Sequence, residues 1–171
     1  SLVKRDTDII FTDTSGGAYM YLDNEGRAVL ADANQRIRRI KPKQDGQGEW
    51  KFFEIDSWDM NKYVPNDCFH WNNLFPKGEC DGITTVMPDY NGLLWWVTRN
   101  GRVGSLDTKT GKVLSIMLNG EEIQNSFAVD QTGAYIVSDY AMYHMKLLEG
   151  MPTQQWRFEY DRGSSRKVGS I

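Results

Sequence analysis

The run Pro88-Asp-Tyr-Asn-Gly-Leu-Leu-Trp-Trp-Val-Thr-Arg-Asn-Gly-Arg-Val-Gly-Ser-Leu-Asp-Thr-Lys-Thr-Gly111 alternates turn signals with strand signals. Asp89-Tyr90-Asn91-Gly92 ends in a glycine that can take the positive φ a tight turn needs. Leu93 to Thr98 is apolar, β-branched and aromatic, which suits a strand buried on both faces, with Trp95 and Trp96 pointing to opposite sides. Asn100-Gly101 is a strong hairpin signal and predicts a type I′ turn with φ > 0 at both central positions. Arg102 to Leu106 runs back, and Asp107 to Gly111 turns into a further strand over Lys112 to Leu118.

The same unit recurs on either side. Ala18 to Leu22 reads as a strand, Asp23-Asn24-Glu25-Gly26 as its turn, Arg27 to Ala31 as a second strand, Asp32 to Gln35 as a turn and Arg36 to Ile40 as a third strand. Lys41 to Gly48 reads as a charged loop and Glu49 to Ile55 as an outer strand. Downstream, Ser126 to Val129, the turn Asp130-Gln-Thr-Gly133, Ala134 to Ser138, Met142 to Leu147 and Gln154 to Tyr160 repeat the order.

The Asp-x-x-Gly turns begin at 23, 89 and 130. The later gap of 41 residues matches one four-stranded propeller blade, and the earlier gap of 66 matches a blade plus an insertion of about 25 residues. The expected fold is therefore all-β, a β-propeller-like array of four-stranded antiparallel blades. A β-sandwich of similar hairpins is the alternative. Residues 1–160 form one domain of about three blades with an inserted loop at about 56–79, and 161–171 form a basic Gly/Ser-rich tail. Three blades and a leading strand at Ile9-Ile10-Phe11 do not close a ring, and open sheet edges attract other strands. The expectation is a partial propeller: a fragment of a larger one, or a half-ring completed by another chain as a homo-oligomer.

Composition narrows the function classes. Twenty-three acidic residues against 20 basic give a net charge of −3, which disfavours nucleic acid as a partner. No apolar run is long enough to span a membrane. No signal peptide pattern opens the chain, but it begins Ser-Leu-Val-Lys, so the missing leader says little. Cys68 and Cys80 flank a Trp-, Asn- and Pro-rich stretch. As a disulfide they pin a surface loop and imply an oxidising location, secreted or periplasmic; as unpaired thiols they imply nothing. The same stretch holds His70 and Trp71, candidate ligand contacts on an inserted loop. A Gly-x-Ser-x-Gly elbow and a P-loop are both missing, and Gly101-Arg-Val-Gly104 lacks the strand-turn-helix setting of a dinucleotide site.

The residues Asp81-Gly82 to Asp89-Tyr-Asn-Gly92, Leu94-Trp95-Trp96-Val97, Asn100-Gly101-Arg102-Val103, Leu106-Asp107-Thr-Lys-Thr-Gly111-Lys112-Val113 and Asn125-Ser126-Phe127-Ala128-Val129-Asp130-Gln-Thr-Gly133 resemble blades of the gluconolactonase and regucalcin-like six-bladed propellers. The similarity covers roughly residues 80 to 147. It implies a divalent cation, calcium or another metal, held by oxygen ligands at the mouth of a central channel, with Asp81 and Asn125 at matching positions. It further implies metal-assisted hydrolysis of a lactone or related ester. The chain departs from the pattern at Ser126, where the family has Gly, and at Ser15-Gly16-Gly17, near where the family supplies a first-blade Glu. Glu121 and Glu122 read either as further metal oxygens beside Asn125 or as solvated loop acids. Asp32 and Asp139, each nine residues beyond its turn Asp, read as reused turn residues.

Two functions follow from these readings. The first is an extracytoplasmic binding or interaction module taking a small-molecule or protein ligand. The second, by resemblance, is a divalent-metal-dependent lactone hydrolase.

Overall fold

The structure, a computed structural model, describes residues 19–32, 34–64 and 81–161. These residues form three four-stranded antiparallel sheets, each a simple meander. The first sheet holds β1 (Tyr21–Leu22), β2 (Ala28–Ala31), β3 (Arg36–Gln44) and β4 (Trp50–Asp59). The second holds β5 (Ile83–Pro88), β6 (Leu93–Thr98), β7 (Arg102–Asp107) and β8 (Val113–Met117). The third holds β9 (Ala128–Asp130), β10 (Gly133–Val137), β11 (Ala141–Leu148) and β12 (Met151–Glu159). The all-β, propeller-like array expected from the repeat is the observed architecture.

The sheets stack face to face, so the array has two cores. Val29, Ala31 and Ile37 of the first sheet meet Val86, Leu94, Trp96 and Leu106 of the second. On the opposite side of the second sheet, Trp95, Val97 and Val103 meet Ala134, Ile136, Tyr143 and Met145 of the third. Side chains alternate along a strand, so a sheet covered on both sides needs apolar residues at consecutive positions. That is why β6 reads Leu-Leu-Trp-Trp-Val without a polar break. Gly104 pairs with Trp96 across the ladder. A Cβ there would lie 2.7 Å from Trp96 Nε1 and closer still to Cε2 and Cζ2, so only glycine lets the indole lie flat on β7.

Several boundaries differ from the sequence reading. The stretch 41–44, expected as loop, continues β3, because Lys41, Pro42, Lys43 and Gln44 pair with Phe53, Phe52, Lys51 and Trp50. Pro42 is tolerated there because β2 stops pairing at Ile40, leaving no neighbour to receive the missing N–H. The expected insertion begins too early: Asp56 pairs with Arg39 and Trp58 with Ile37 in β4, while Met60 and Val64 enter the first core. The remainder of the insertion, with Cys68, Cys80, His70 and Trp71, lies outside the described residues. So do the leading strand at 9–11 and nearly all of the basic tail.

Two turns are corrected. At Asn100-Gly101 only Gly101 has positive φ, +89°, and its N–H donates to Thr98 O. This is a longer turn closed by a left-handed glycine, not type I′. The Asp130 turn is one residue shorter than its counterparts. Gly133 pairs directly with Asp130, whereas Asp23 N–H donates to Arg27 O and Asp89 N–H to Leu93 O. Equivalent positions in β10 therefore lie one residue earlier than a count from the turn Asp suggests.

Candidate functional site

The meanders share a common polarity. One end of the array carries the lead-in loops before β5 and β9 and the connections β2–β3, β6–β7 and β10–β11. The other end carries the remaining turns. Asp81 and Asn125, the residues matched to metal ligands, stand on the two lead-in loops.

Asp81 is 2 % exposed. Its Oδ2 accepts from Thr98 Oγ1 at 2.9 Å and its Oδ1 from Asn100 N–H at 2.8 Å, and Arg102 Nε lies 3.9 Å from Oδ2. The carboxylate thus organises the β6–β7 connection of its own sheet. Gln35 joins this loop to the first sheet: its Nε2 donates to Asp81 O at 3.1 Å and its Oε1 accepts from Ile83 N–H at 3.2 Å. Both groups are buried, and Gln35 itself is 1 % exposed at φ +57°. The side chain acts as a short strand between two sheets. The corresponding link from the second to the third sheet is made by backbone, Ile123 N–H donating to Arg99 O at 2.9 Å. Asn125 Oδ1 accepts from Tyr19 OH at 3.0 Å. Among the described residues no three His, Cys, Asp or Glu side chains come together. Both carboxylate oxygens of Asp81 already accept from donors within its own sheet.

The acids downstream are also engaged. Asp139 Oδ1 accepts from Glu122 N–H at 2.7 Å, tying the third lead-in loop to the β10–β11 connection. The shorter Asp130 turn means that the positional equivalents of Asp32 are Thr98 and Ser138, not Asp139. All three do the same work: Asp32 Oδ1 accepts from Arg36 N–H, Thr98 Oγ1 from Arg102 N–H, and Ser138 Oγ from Ala141 N–H. Glu121, read from sequence as a solvated acid or spare donor, sits in a polar cluster. Its Oε1 accepts from Tyr143 OH at 2.5 Å and from Arg157 at 3.1 Å, and Oε2 accepts from Ser138 Oγ. Burial first, then Glu121, pushes the Tyr143 phenol up to about 12. The sequence carried no signal for this cluster, because its four members come from four separate segments.

At the turn end, the Asp-x-x-Gly pattern proves to be a backbone cap. Asp89 Oδ1 accepts from Asn91 and Leu93 N–H, Asp23 Oδ1 from Glu25 and Arg27 N–H, and Asp45 Oδ1 from Gln47 and Glu49 N–H. Asp45 to Gly48 is a further copy of the motif that the sequence reading passed over as loop. The Lys51 ammonium 2.5 Å away, then the turn N–H groups, lower the Asp45 carboxyl to about 2. Backbone N–H of Lys109 and the Thr132 hydroxyl lead the lowering at Asp107 and Asp130 respectively.

Between these turns two clefts open. One, about 450 Å³, lies between the first and second sheets and is lined by Tyr21, Arg27, Arg39, Tyr90 and Thr108 among others. The other, about 270 Å³, lies between the second and third sheets, with Tyr90, Trp95, Thr132 and Lys146 on its walls. Tyr90 borders both and is 65 % exposed. Burial raises Tyr21 to about 12, against the opposing pull of Arg39, so the cleft presents a neutral phenol beside two guanidinium groups. The sequence reading placed no site here, since these residues come from separate turns that only sheet stacking brings together.

No known family profile matches the sequence. An uncharacterized protein of Archaeoglobus fulgidus is 32% identical over 95 residues, 51% of this chain and 19% of that protein, so the chain spans about a fifth of that relative's length. Among solved structures, the "extracellular domain of the putative one component system" from B. thetaiotaomicron superposes with a TM-score of 0.42 at 14% identity, over 85% of this chain and 24% of that one.

Proposed function

We propose that this chain is a propeller-type binding module, extracytoplasmic in setting, that takes its ligand at the turn end between adjacent sheets. The observation that supports this reading is the pair of clefts sharing Tyr90. They combine an exposed aromatic ring, flanking guanidinium and ammonium groups and backbone-capped carboxylates, a lining suited to recognition by stacking and hydrogen bonds. The lead-in end, by contrast, has its acids committed to bracing the connections of their own sheets. The ligand class is a small polar or aromatic molecule, or a peptide side chain of that kind. The competing proposal, lactone hydrolysis through a divalent cation at Asp81 and Asn125, rests on the gluconolactonase resemblance alone.

The test is a melting-shift screen of small polar and aromatic ligands against the parent chain and Tyr90→Ala. Tyr90 is largely exposed, so the substitution should leave unliganded melting unchanged. Ligands that stabilise the parent should lose their effect in the variant. Stabilising ligands indifferent to Tyr90 would place binding elsewhere and sink the proposal.

A further inference from the structure

The sequence holds three Asn-Gly pairs, Asn91-Gly92, Asn100-Gly101 and Asn119-Gly120, and the fold engages their backbones very differently. Asparagine is a thermolabile residue, and a following glycine, lacking Cβ, lets the backbone approach the side-chain amide closely. In that approach the glycine N–H gives up its proton and its nitrogen attacks the asparagine Cγ. A C–N bond forms, Nδ2 leaves as ammonia with that proton, and a cyclic succinimide results. Water then opens the ring at either carbonyl, giving aspartate or isoaspartate, so water is the only co-reactant. The step needs a glycine N–H free to lose its proton and an asparagine side chain free to swing round.

At Asn100-Gly101 the backbone is pinned. Gly101 N–H donates to Thr98 O at 3.2 Å, Gly101 O accepts from Leu118 N–H at 2.8 Å, and Asn100 N–H donates to Asp81 Oδ1 at 2.8 Å. Gly101 is buried, and a Cβ there would lie 2.6 Å from both Leu118 O and Glu121 O. At Asn91-Gly92 the glycine N–H bonds nothing among the described residues, but the asparagine is held. Its N–H donates to Asp89 Oδ1 at 2.7 Å and its Nδ2 to Oδ2 at 3.4 Å. The Asp89 carboxylate also opposes the negative charge that the glycine nitrogen must acquire.

Asn119-Gly120 has neither restraint. The pair forms the centre of a turn that Glu121 N–H closes on Leu118 O at 3.2 Å. Both residues are exposed, and among the described residues neither the Asn119 side chain nor Gly120 N–H has a hydrogen-bond partner. A Cβ on Gly120 would meet nothing within 4 Å, and the neighbouring Glu121 carboxylate is paired with Arg157 at 3.1 Å.

We propose that Asn119 is a spontaneous deamidation site of the folded chain, converting to isoaspartate and aspartate while Asn91 lags and Asn100 is spared. Isoaspartate routes the main chain through the side-chain carbon, adding a backbone atom between Leu118 and Glu121 as well as a negative charge. The turn bond from Glu121 N–H then loses its geometry, and Glu121 is the residue that gathers Ser138, Tyr143 and Arg157. Ageing at Asn119 therefore loosens the polar cluster that ties this loop to the third sheet. Asn119 lines neither of the clefts around Tyr90, so the site stands apart from the ligand proposal.

The full chain is incubated at mildly alkaline pH, folded and in concentrated urea, then digested and read by peptide mass and enzymatic methylation of isoaspartate. Dividing each folded rate by its rate in urea removes the influence of neighbouring residues. That ratio should be highest at Asn119 and about tenfold or more lower at Asn100, where one further hydrogen bond must open before attack. Asn119→Gln should abolish isoaspartate in its peptide with melting unchanged. The aged form, separated by its added charge, should melt below the parent, whereas Asn119→Asp, with the charge on a normal backbone, should not. A ratio at Asn91 or Asn100 equal to that at Asn119 overturns the proposal. So does an Asn119 that stays intact in the folded chain, and an aged form melting with the parent overturns the link to Glu121.

Discussion

Replacing Gln35 by alanine cuts the side-chain link between the first and second sheets. The bonds at 3.1 and 3.2 Å disappear, leaving Asp81 C=O and Ile83 N–H without their partner in a region where both residues are at most 2 % exposed. A buried polar group stranded in this way costs about 1–3 kcal/mol, and the freed side-chain entropy returns part of it. The net loss is about 2–4 kcal/mol, or roughly 5–15 °C in melting temperature for a chain of this size. Two further variants separate causes. Gln35→Gly relieves the positive φ and should lose less than alanine by about 1 kcal/mol. Gln35→Glu keeps an acceptor for Ile83 N–H but faces Asp81 C=O with a carboxylate. Relative to the parent it should be worst at neutral pH and recover as pH falls through the carboxylate range, when a protonated carboxyl can donate. Because repeat arrays do not always unfold in one step, hydrogen exchange at the Ile83 amide should accompany the melting curve. Melting within about 1 °C of the parent, with Ile83 still protected, would refute the view of Gln35 as a structural link.

Gly104→Ala forces a methyl into the Trp96 ring and should destabilise by about 1–3 kcal/mol, read as a lower urea midpoint with an altered near-ultraviolet tryptophan signal; an unchanged midpoint would mean the ring moves freely. The carboxyls of Asp45, Asp107 and Asp130 lie below their ordinary value in the folded chain, so their contribution is present above about pH 4 and is lost as pH falls toward the lowered values. Stability should be flat from pH 7 to about pH 5 and then decline, with Asp45→Asn showing a shallower decline; equal acid slopes would contradict the cap assignment. Asp81→Asn should lower melting equally in calcium and in chelator, since the amide keeps only one of the two acceptor oxygens that Thr98 and Asn100 use and loses the charge facing Arg102 either way. A loss seen only with calcium present would favour the metal proposal instead. Glu121→Gln should bring the Tyr143 phenol down from about 12, measured by ultraviolet titration, and a titration unchanged by the substitution would argue against their hydrogen bond.

How far the sequence could be read follows from the range of each interaction. Asp23 and Asp89 cap N–H groups two and four residues on, so the turn is encoded within one short window and its repetition exposes the array. The apolar run of β6 likewise announces a strand covered on both sides. The outer pairs of β3 and β4 were less legible, because Lys41 and Pro42 look like loop until Phe53 and Phe52 supply the opposing ladder. The equivalence of Asp32 with Asp139 failed for a local reason with a distant reading: one residue fewer at Asp130 moves the matching position to Ser138.

The candidate sites show the same division. Asp81 stood out from its place before β5, yet its role depends on Thr98 and Asn100, which reach it only once the hairpin has folded back. Gln35 had no signal at all, its partners lying 46 and 48 residues away. The clefts around Tyr90 exist only between sheets. The amino-acid sequence by itself determined the strand-and-turn unit, its count and its period, since alternation and capping act over a few residues. Tertiary structure decided which polar groups are spent on joining sheets and which stay free, because those outcomes depend on contacts between segments that no local pattern records.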